Sequence, residues 1–398
     1  MSEFTNNKEK RIERLLKLFY AILEKDAPGK AIKQNQDLID QSLPSDIITL
    51  VDLLVKSKLP IDKLKTGVNK FLNVMYTSIK EYPYTKPADN SFLDCCVKNN
   101  AVLDEKLKTL RPLIKQINKS PDDNSLKENF ITDLKIILEY ENYYLIKENV
   151  LFPFLEKQWE EFRCLNIMWS FHDDIRKNIK NLISVLSSDK LNTNIFNRLT
   201  GDIFFNIYAI IFREERILFP YIMETISGDG LDSLFDDSKE IGFPFYQPPE
   251  KISKKKTIEK VSPSNIDLKS GNLTAEQIIL LFNHLPVDIT FVDEYDKVKY
   301  FSTPKNRIFP RTNAIIGREV NNCHPPESVH VVEQIVDAFK TGTKDKASFW
   351  IQMKGEFILI QYFALRDENG NYKGVIEVSQ EISEIKSLEG ERRLLDWE

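Results

Sequence analysis

The segment LPVDITFVDEYDKVKYFST, residues 285–303, begins a strand-rich region that runs to Ile385 and gives the clearest indication of fold in this chain. This region contains five runs of apolar and β-branched residues that have the length of strands and are separated by turn signals. The runs are Ile289–Val292, Val298–Phe301, Phe349–Met353, Phe357–Leu365 and Gly374–Val378. Between the last two, Asn369-Gly370 supplies residues that tolerate the positive φ of a tight hairpin. The pattern predicts a five-stranded antiparallel sheet.

One helix is predicted between the second and third strands. Five apolar residues share a face there at helical spacing: Val329, Val332, Ile335, Val336 and Phe339. Two prolines, Pro325 and Pro326, stand just before this face, and Gly342 follows it, as expected for the ends of a helix. Two strands, a helical segment and three further strands are the element order of a PAS domain.

The same segment resembles, in its residues, the PAS domain that ends a bacterial family. Members of that family also carry an N-terminal domain of unknown function 438 and a hemerythrin-like HHE domain. The resemblance is carried by LPVDITFVDE, IIGREV, CHPP, YFALRD and GVIEV, in that order along the chain. It implies an α+β PAS domain at residues 274–386 that encloses a cavity for a small ligand and dimerises.

Composition limits what the remainder can be. The chain has 398 residues, enough for two or three hydrophobic cores. Its net charge of -5 and pI near 5.7 argue against nucleic acid as a partner. Four cysteines, of which Cys95 and Cys96 are adjacent, do not form a disulfide framework. With no signal peptide and no uncharged run of membrane-spanning length, we expect a cytoplasmic protein without a transmembrane segment.

Residues 1–81 are predicted to form a small helical module. Amphipathic helices are expected at Arg11–Leu23, Ile47–Lys58 and Asp62–Tyr76, with Ser45-Asp46 capping the second. The order of these helices resembles the N-terminal module of the same family. That module usually has a histidine after the first turn of its third helix, where this chain has Asn69.

Residues 88–228 are predicted to form a four-helix bundle. Four helical patterns joined by short polar turns cover Ser91–Asn118, Ser125–Gln158, Ile167–Ser187 and Asn192–Ser227. The second and fourth contain an internal echo, KENVLFP ending at Pro153 and REERILFP ending at Pro220. This echo indicates a bundle with two-fold character.

The echo, together with MWSFHDDIR at residues 168–176, is similar to the HHE domain, in which inward-facing His and Glu side chains hold two iron ions. By matching position, the resemblance implies Glu148, His172 and Glu215 as metal ligands. Tyr143 and the adjacent Tyr144 stand where the family has histidine, and a phenolate there is a further candidate ligand for iron.

Histidine is scarce in this region, because His172 is the one histidine before residue 284. A histidine-rich di-iron site needs several imidazoles, and a carboxylate-bridged one needs Glu-x-x-His motifs on two helices. We therefore expect the bundle to keep its fold and to lack a normal oxygen-reactive di-iron centre. In the alternative interpretation His172 is a hydrogen-bonded interhelical residue, and Glu148 and Glu215 pair with Lys147, Arg213 or Arg216.

A linker is predicted at residues 229–273, with the polar run Lys254–Lys256, and a helical tail at 387–398. After the linker, Thr274 is expected to cap a helix at Ala275–Asn283 that leads into the first strand. The apolar side chains of this tail need a partner surface, which favours self-association through the PAS domain and the tail. They are Leu388, Leu394, Leu395 and Trp397.

Within the PAS segment, Cys323 and His324 are the residues with the chemistry of heme or metal ligands. His330 lies on the helix that carries the axial histidine in heme-binding PAS oxygen sensors. In the alternative interpretation Cys323-His324 is simply the entry to a helix, and His330 points away from the apolar face. Six aromatic residues are candidate walls of a ligand cavity: Phe291, Phe301, Phe309, Phe349, Trp350 and Tyr362.

The sequence thus predicts a multidomain protein, with an all-α module and a hemerythrin-like four-helix bundle followed by an α+β PAS domain. We expect a sensory or signalling protein that is not an enzyme and acts through an output partner. Iron in the bundle and heme in the PAS domain are the cofactors to test. Two alternatives are a non-heme iron protein that handles oxygen, peroxide or nitric oxide, and a structural adaptor without ligand.

Overall fold

The computed structural model of the chain describes residues 2–24, 28–83, 85–239, 241–248 and 266–391. Its contacts divide the chain near residue 250 into two compact units. The first unit is all-α, and the second combines a sheet with helices. A helical N-terminal region followed by a five-stranded antiparallel sheet confirms the coarse fold that the sequence predicts.

Five helices form the N-terminal part of the first unit: α1 Ser2–Glu24, α2 Gly29–Gln34, α3 Gln36–Asp40, α4 Pro44–Lys56 and α5 Ile61–Glu81. Helix α4 begins three residues before its predicted start, because Asp46 stabilises the first turn from inside the helix. Its carboxylate accepts the backbone N–H of Leu43 at 2.9 Å and two N–H groups of Arg11 at 2.8 Å. Asp46 is therefore a residue of the first turn and not the N-cap that the sequence suggested.

The four predicted bundle helices follow as α6 Phe92–Lys119, α7 Asn124–Leu138 with α8 Glu141–Ile146 and α9 Phe152–Gln158, α10 Cys164–Leu186, and α11 Thr193–Arg213 with α12 Phe219–Thr225. Helix α6 packs on α7 and α11, and α10 packs on the same two helices. The core between them is apolar along the predicted stripes. Two short helices close the unit, α13 Gly228–Asp232 and α14 Leu234–Ser238, within the range predicted as linker.

The two segments of the internal echo also have the same backbone conformation. Lys147–Leu151 and Glu214–Leu218 are both π-helical turns, and each is followed at once by Phe-Pro in the first turn of the next helix. Proline cannot donate to the carbonyl four residues earlier, and its ring collides with that carbonyl in a regular α-helix. A wider π turn just before Pro153 and Pro220 relieves this conflict and turns the preceding side chains relative to the bundle.

One helical run, Thr193–Thr225, is long and apolar enough to cross a membrane by length and composition alone. A core helix of a soluble protein passes the same test. In this unit the run contributes Phe196, Ile203, Ile207 and Ile210 to the hydrophobic core, and 33% of its most apolar window is buried.

The second unit begins with a small hairpin, β1 Ile266–Asp267 and β2 Asn272–Leu273, and with helix α15 Ala275–His284. Thr274 is the predicted N-cap of α15: its hydroxyl accepts the N–H of Gln277, and the Gln277 side chain accepts the N–H of Thr274. Residues 249–265, which include the predicted run Lys254–Lys256, lie outside the described residues.

The five predicted strands are confirmed as β3 Asp288–Asp293, β4 Val298–Phe301, β5 Lys346–Met353, β6 Glu356–Arg366 and β7 Tyr372–Glu381. They form one antiparallel sheet in the order β4-β3-β7-β6-β5. Helix α16 Pro326–Lys340 lies between β4 and β5 in the chain, and Gly342 after it has the positive φ of 72° that suits glycine. Gly370 has a φ of 82° in the predicted hairpin turn.

A last helix, α17 Ser383–Ser387, follows the sheet and starts four residues before the predicted tail. Leu388 is 76% exposed. The other apolar residues of the predicted tail, Leu394, Leu395 and Trp397, lie outside the described residues.

Candidate functional site

The polar centre of the bundle is built around Glu148, which the first π turn directs into the core. Its Oε1 lies 2.8 Å from Nδ1 of His172 on α10, and its Oε2 accepts Nη2 of Arg176 at 2.9 Å. The imidazole is stacked between two aromatic rings, with its centroid 4.2 Å from that of Tyr144 and 6.2 Å from that of Phe152. Glu148 and His172 were both predicted from the sequence, and the structure brings them into contact.

Burial controls the charges of this group, because His172 has no exposed surface and Glu148 only 2%. Burial raises the pKa of Glu148 to about 7, even though the neighbouring Arg176 lowers it. Burial also lowers the pKa of His172 well below 6.5, helped by the positive charges of Lys147 and Arg176. The imidazole is therefore neutral near pH 7, and its Nε2 has no hydrogen-bond partner among the described residues.

A second polar group surrounds Glu214, which lies in the second π turn. Glu214 was not among the residues predicted from the sequence. Its carboxylate forms a fully buried ion pair with Lys147. Its Oε2 also accepts the hydroxyl of Tyr143 and Nδ2 of Asn100, each at 3.1 Å. The ammonium of Lys147 lies 4.3 Å from the ring centroid of Tyr143. Tyr143, predicted as a phenolate ligand, instead donates a hydrogen bond here.

The predicted ligand Glu215 is more exposed than its neighbour Glu214. Its Oε1 accepts Nδ2 of Asn100 at 3.1 Å, and Asn100 in turn accepts the hydroxyl of Tyr140. Burial raises the pKa of Glu215. Aligning the two Leu-Phe-Pro segments places Glu215 in the core, as the equivalent of Glu148. The π turn, however, brings two successive carboxylates, Glu214 and Glu215, to this end of the bundle.

The two groups are related by the internal echo. Matching Leu151-Phe152-Pro153 to Leu218-Phe219-Pro220 aligns Glu148 with Glu215 and Lys147 with Glu214. Glu148 contacts His172 on α10, and Glu215 contacts Asn100 on α6, so the second carboxylate contacts an amide where the first contacts an imidazole. Lys147 and Glu214 occupy equivalent positions and bind each other. This symmetry was the signal that could have identified Lys147, Glu214 and Asn100 from the sequence.

These residues do not fit a pair of iron ions. Among the residues that the structure describes, no group of three or more His, Cys, Asp or Glu side chains could hold a metal ion. The carboxylates of Glu148 and Glu214 already bind the cationic side chains of Arg176 and Lys147. Burial raises the pKa of Tyr143 well above 10, which disfavours a phenolate. An iron ion would have to displace the side chain of Lys147 or Arg176 from its carboxylate. Leaving a buried charge unpaired in this way lowers the stability of a protein.

A cavity of about 30 Å³ lies between α16 and the sheet in the second unit. Apolar side chains and three polar residues line it: Val292, Val320, His324, Val332, Ile335, Val336, Tyr362, Val375 and Glu377. Burial lowers the pKa of His324 to about 4, with Arg311 and Arg318 adding to the effect, so this imidazole is neutral. The space holds about two water-sized molecules.

The two other candidate ligands of the PAS segment lie elsewhere. Cys323 ends a 3₁₀ turn, Val320–Cys323, and its thiol donates to the carbonyl of Glu319 at 3.6 Å. His330 is exposed on α16. Of the three candidates, His324 alone lines the cavity. A cavity of about 30 Å³ does not fit heme, because pockets for ligands of that size are typically several hundred Å³.

Five of the six candidate aromatic walls lie on strands and divide between the two faces of the sheet, and Phe309 lies in the segment that follows β4. Strand register places Phe349 and Tyr362 on the face that carries Val292 and the cavity, and their ring centroids are 6.1 Å apart. Alternation places Phe291 and Trp350 on the opposite face. Of the six, Tyr362 lines the cavity. Phe301 packs with Val292 in a small core cluster.

Residues 278–383 match a family model described as a PAS domain. The C-terminal domain of a protein from Streptococcus mutans is 33% identical, with a TM-score of 0.31; the match covers 32% of this chain and 98% of that one. A PAS domain from Colwellia psychrerythraea is 18% identical, covering 27% and 97%, with a TM-score of 0.23. A sensory box sensor histidine kinase from Vibrio cholerae is 12% identical, covering 26% and 90%, with a TM-score of 0.21. No curated protein matches the chain.

Proposed function

We propose, on the premise that residues 278–383 form a PAS domain, that this is a signalling protein whose PAS domain pairs with a second copy of itself. A PAS domain supports a sensory or signalling role in general terms. The finer elements of the proposal are the self-association, a small ligand in the cavity under α16, and an output protein that receives the signal. We further propose a cytoplasmic location and no catalytic activity of the chain's own.

The observation that carries the proposal is the apolar surface of the domain. Helix α15 lies at its start and contains no buried residue, although Ile278, Ile279, Leu280 and Leu281 follow one another in it. Ile279 and Leu280 are each 50% exposed and Leu281 is 56% exposed. Contiguous exposed apolar surface of this kind marks an interaction site.

The outer face of the sheet extends this apolar surface. Trp350 is 66% exposed on β5, and the strand register pairs it with Leu359 on β6. Phe363 and Phe291 lie on the same face. A sheet face with large apolar side chains normally packs against another layer. A second copy offers the same face and so provides a self-complementary cover with two-fold symmetry.

Sensing is proposed to act through the cavity. It admits a molecule of a few atoms as it stands, and a larger ligand requires α16 to move away from the sheet. Tyr362, His324 and Glu377 offer polar groups to such a ligand. Movement of α16 would then change the packing of the sheet and the surface that a second copy covers.

The test is the oligomeric state of the full chain, measured by light scattering across a range of concentrations. We expect a dimer that becomes monomeric when Trp350→Lys or Leu281→Lys places a charge on the apolar surface. Tyr295→Lys is the matched control, because Tyr295 is 72% exposed in the turn between β3 and β4. A wild-type monomer at all concentrations, or a dimer in every variant, would contradict the proposal.

Native mass spectrometry of the protein from cells tests the ligand separately. A small molecule that leaves when Val336→Trp fills the cavity supports sensing. If no mass is lost and neither variant nor wild type takes up small gases or organic probes, the cavity is simply an imperfection of the core, and the structural adaptor becomes the better description.

A further inference from the structure

Arg213, the last residue of α11, is a buried cation that has no anionic partner among the described residues. Its side chain is 6% exposed. One nitrogen, Nη2, donates to the amide oxygen of Asn69 on α5, and the guanidinium lies 4.1 Å from the ring centroid of Phe171. Its Nε and Nη1 are buried and have no hydrogen-bond partner among the described residues.

The absence of a carboxylate is unusual for a residue so deeply buried. In the part of the chain that the structure describes, no Asp or Glu forms an ion pair with Arg213. Burial alone lowers the pKa of this guanidinium to about 9, with no negative charge raising it again. Burying an uncompensated charge destabilises a protein, and proteins normally avoid this by pairing the charge. An anion that binds beside Arg213 would remove this cost.

Arg213 also lines a groove between α5 and α11 that has a volume of about 240 Å³. Asn69 and Asn73 contribute amides to this groove, and its remaining surface is largely aromatic. Tyr76 stacks on Phe212 with ring centroids 4.8 Å apart and an interplanar angle of 28°. Tyr76 and Phe205 are each 45% exposed, so the aromatic walls face the open side of the groove.

We propose that this groove binds a small aromatic carboxylate, with the carboxylate on Arg213 and the ring against Tyr76, Phe205 and Phe212. One guanidinium whose Nε and Nη1 have no hydrogen-bond partner among the described residues matches one carboxylate, which Arg binds in a fork geometry. The aromatic walls select a planar ring. The volume is below the several hundred Å³ of pockets for drug-sized ligands and limits the occupant to a single ring system.

The carboxylate reaches Arg213 by replacing the amide of Asn69. Asn69 offers a neutral oxygen to Nη2, and a carboxylate oxygen in the same place forms a stronger, charge-assisted hydrogen bond. The site lies wholly within the first unit and does not depend on the role proposed for the PAS domain.

Calorimetric titration of the full-length protein with benzoate, phenylacetate and indole-3-acetate tests the proposal. The matched neutral probes are benzamide, phenylacetamide and indole-3-acetamide. We expect at least one acid to bind and its amide to bind roughly tenfold to hundredfold more weakly, as follows from loss of a charge-assisted contact. Equal binding of acid and amide, or no binding of any acid, would overturn it.

Two variants place the binding in the groove. Arg213→Met removes the charge and should abolish acid binding while raising the unfolding midpoint of the ligand-free protein, because a costly buried charge is lost. Phe205→Ser alters an exposed wall and should weaken acid binding without unfolding the protein, so it serves even if Arg213→Met does not fold. Ile195→Ser is the control, since Ile195 is 37% exposed on the same helix and outside the groove. Unchanged acid binding in Phe205→Ser would refute the location.

Discussion

The two π turns of the bundle share a backbone and differ in chemistry. Lys147–Leu151 and Glu214–Leu218 have the same length, and Phe-Pro follows both. In both, the π turn avoids a collision between the proline ring and the carbonyl four residues earlier. The first turn presents Glu148 to an imidazole and a guanidinium. The second presents Glu214 to an ammonium, a phenol and an amide. The two turns thus have the same backbone conformation, while the residues at equivalent positions determine which side chains each turn contacts.

The variant that should destabilise the protein most removes the ion pair between Lys147 in the first π turn and Glu214 in the second. Lys147→Met leaves the buried Glu214 without its cation, and we expect unfolding by urea to show a loss of about 3–5 kcal/mol. The double variant Lys147→Met with Glu214→Gln should recover most of that loss, because no charge remains unpaired. Lys135→Met, the same substitution at an exposed site of α7, should change stability by less than about 0.5 kcal/mol. A single variant as stable as the wild type would mean that the pair is dispensable.

The next effect concerns Asn100, the amide that contacts the carboxylates of the second π turn. Asn100 donates to Glu214 and Glu215 and accepts from Tyr140. Asn100→Leu keeps the shape and leaves these polar groups without a partner, so we expect a loss of about 1–3 kcal/mol. Asn118→Leu, at an exposed position of the same helix, is the control. Similar losses in both variants would show that the network around Asn100 has no special weight.

A smaller effect concerns the pH dependence of stability in the first polar group, which contains Glu148 and His172. Folded His172 stays neutral because its pKa is lowered well below 6.5, so the unfolded chain takes up a proton first and stability falls as the pH drops below 6.5. Folded Glu148 has a pKa raised to about 7, above the unfolded value of 4.5, so its contribution rises as the pH falls from 7 to 4.5. In the wild type the two contributions largely cancel.

Removing either member should therefore expose the other. Glu148→Gln should lose stability below pH 6.5, and His172→Phe should gain stability between pH 7 and 4.5, each by up to about 1.4 kcal/mol per pH unit. Urea titrations at several pH values measure both slopes. Parallel pH profiles for the wild type and both variants would show that the two groups do not titrate as described.

The last prediction expects no effect. Reconstitution with ferrous iron without oxygen, followed by metal counting and exposure to oxygen, should give less than one tightly held iron per chain and the same absorption in the wild type and His172→Ala. Lys147 and Arg176 already neutralise the carboxylates of the two halves. Two irons per chain with an oxo-bridged spectrum that disappears in His172→Ala would show that these cations yield to metal.

The predictability of each region follows from the range of the interactions that form it. The bounds of the five strands were predicted to within three residues, and α15 with its cap at Thr274 and the turn at Gly370 were predicted more closely, because local pattern and turn chemistry determine them. The polar centre was predicted in part. Glu148 and His172 were found by position, whereas Glu214 was missed because a π turn changes which residues face inward, and helical spacing assumes 3.6 residues per turn.

Three features of the protein could be read from its sequence: the order of the elements, the strand pattern of the PAS domain and the scarcity of histidine in the bundle. Each depends on residues close together in the chain or on composition alone. The contact of Lys147 with Glu214, 67 residues away, depends on the packing of distant helices, and so does the burial of Arg213 against Phe171 with no carboxylate partner among the described residues. The reason is physical: the charge and pKa of a buried group depend on neighbours that folding brings from distant helices, and no local pattern encodes them.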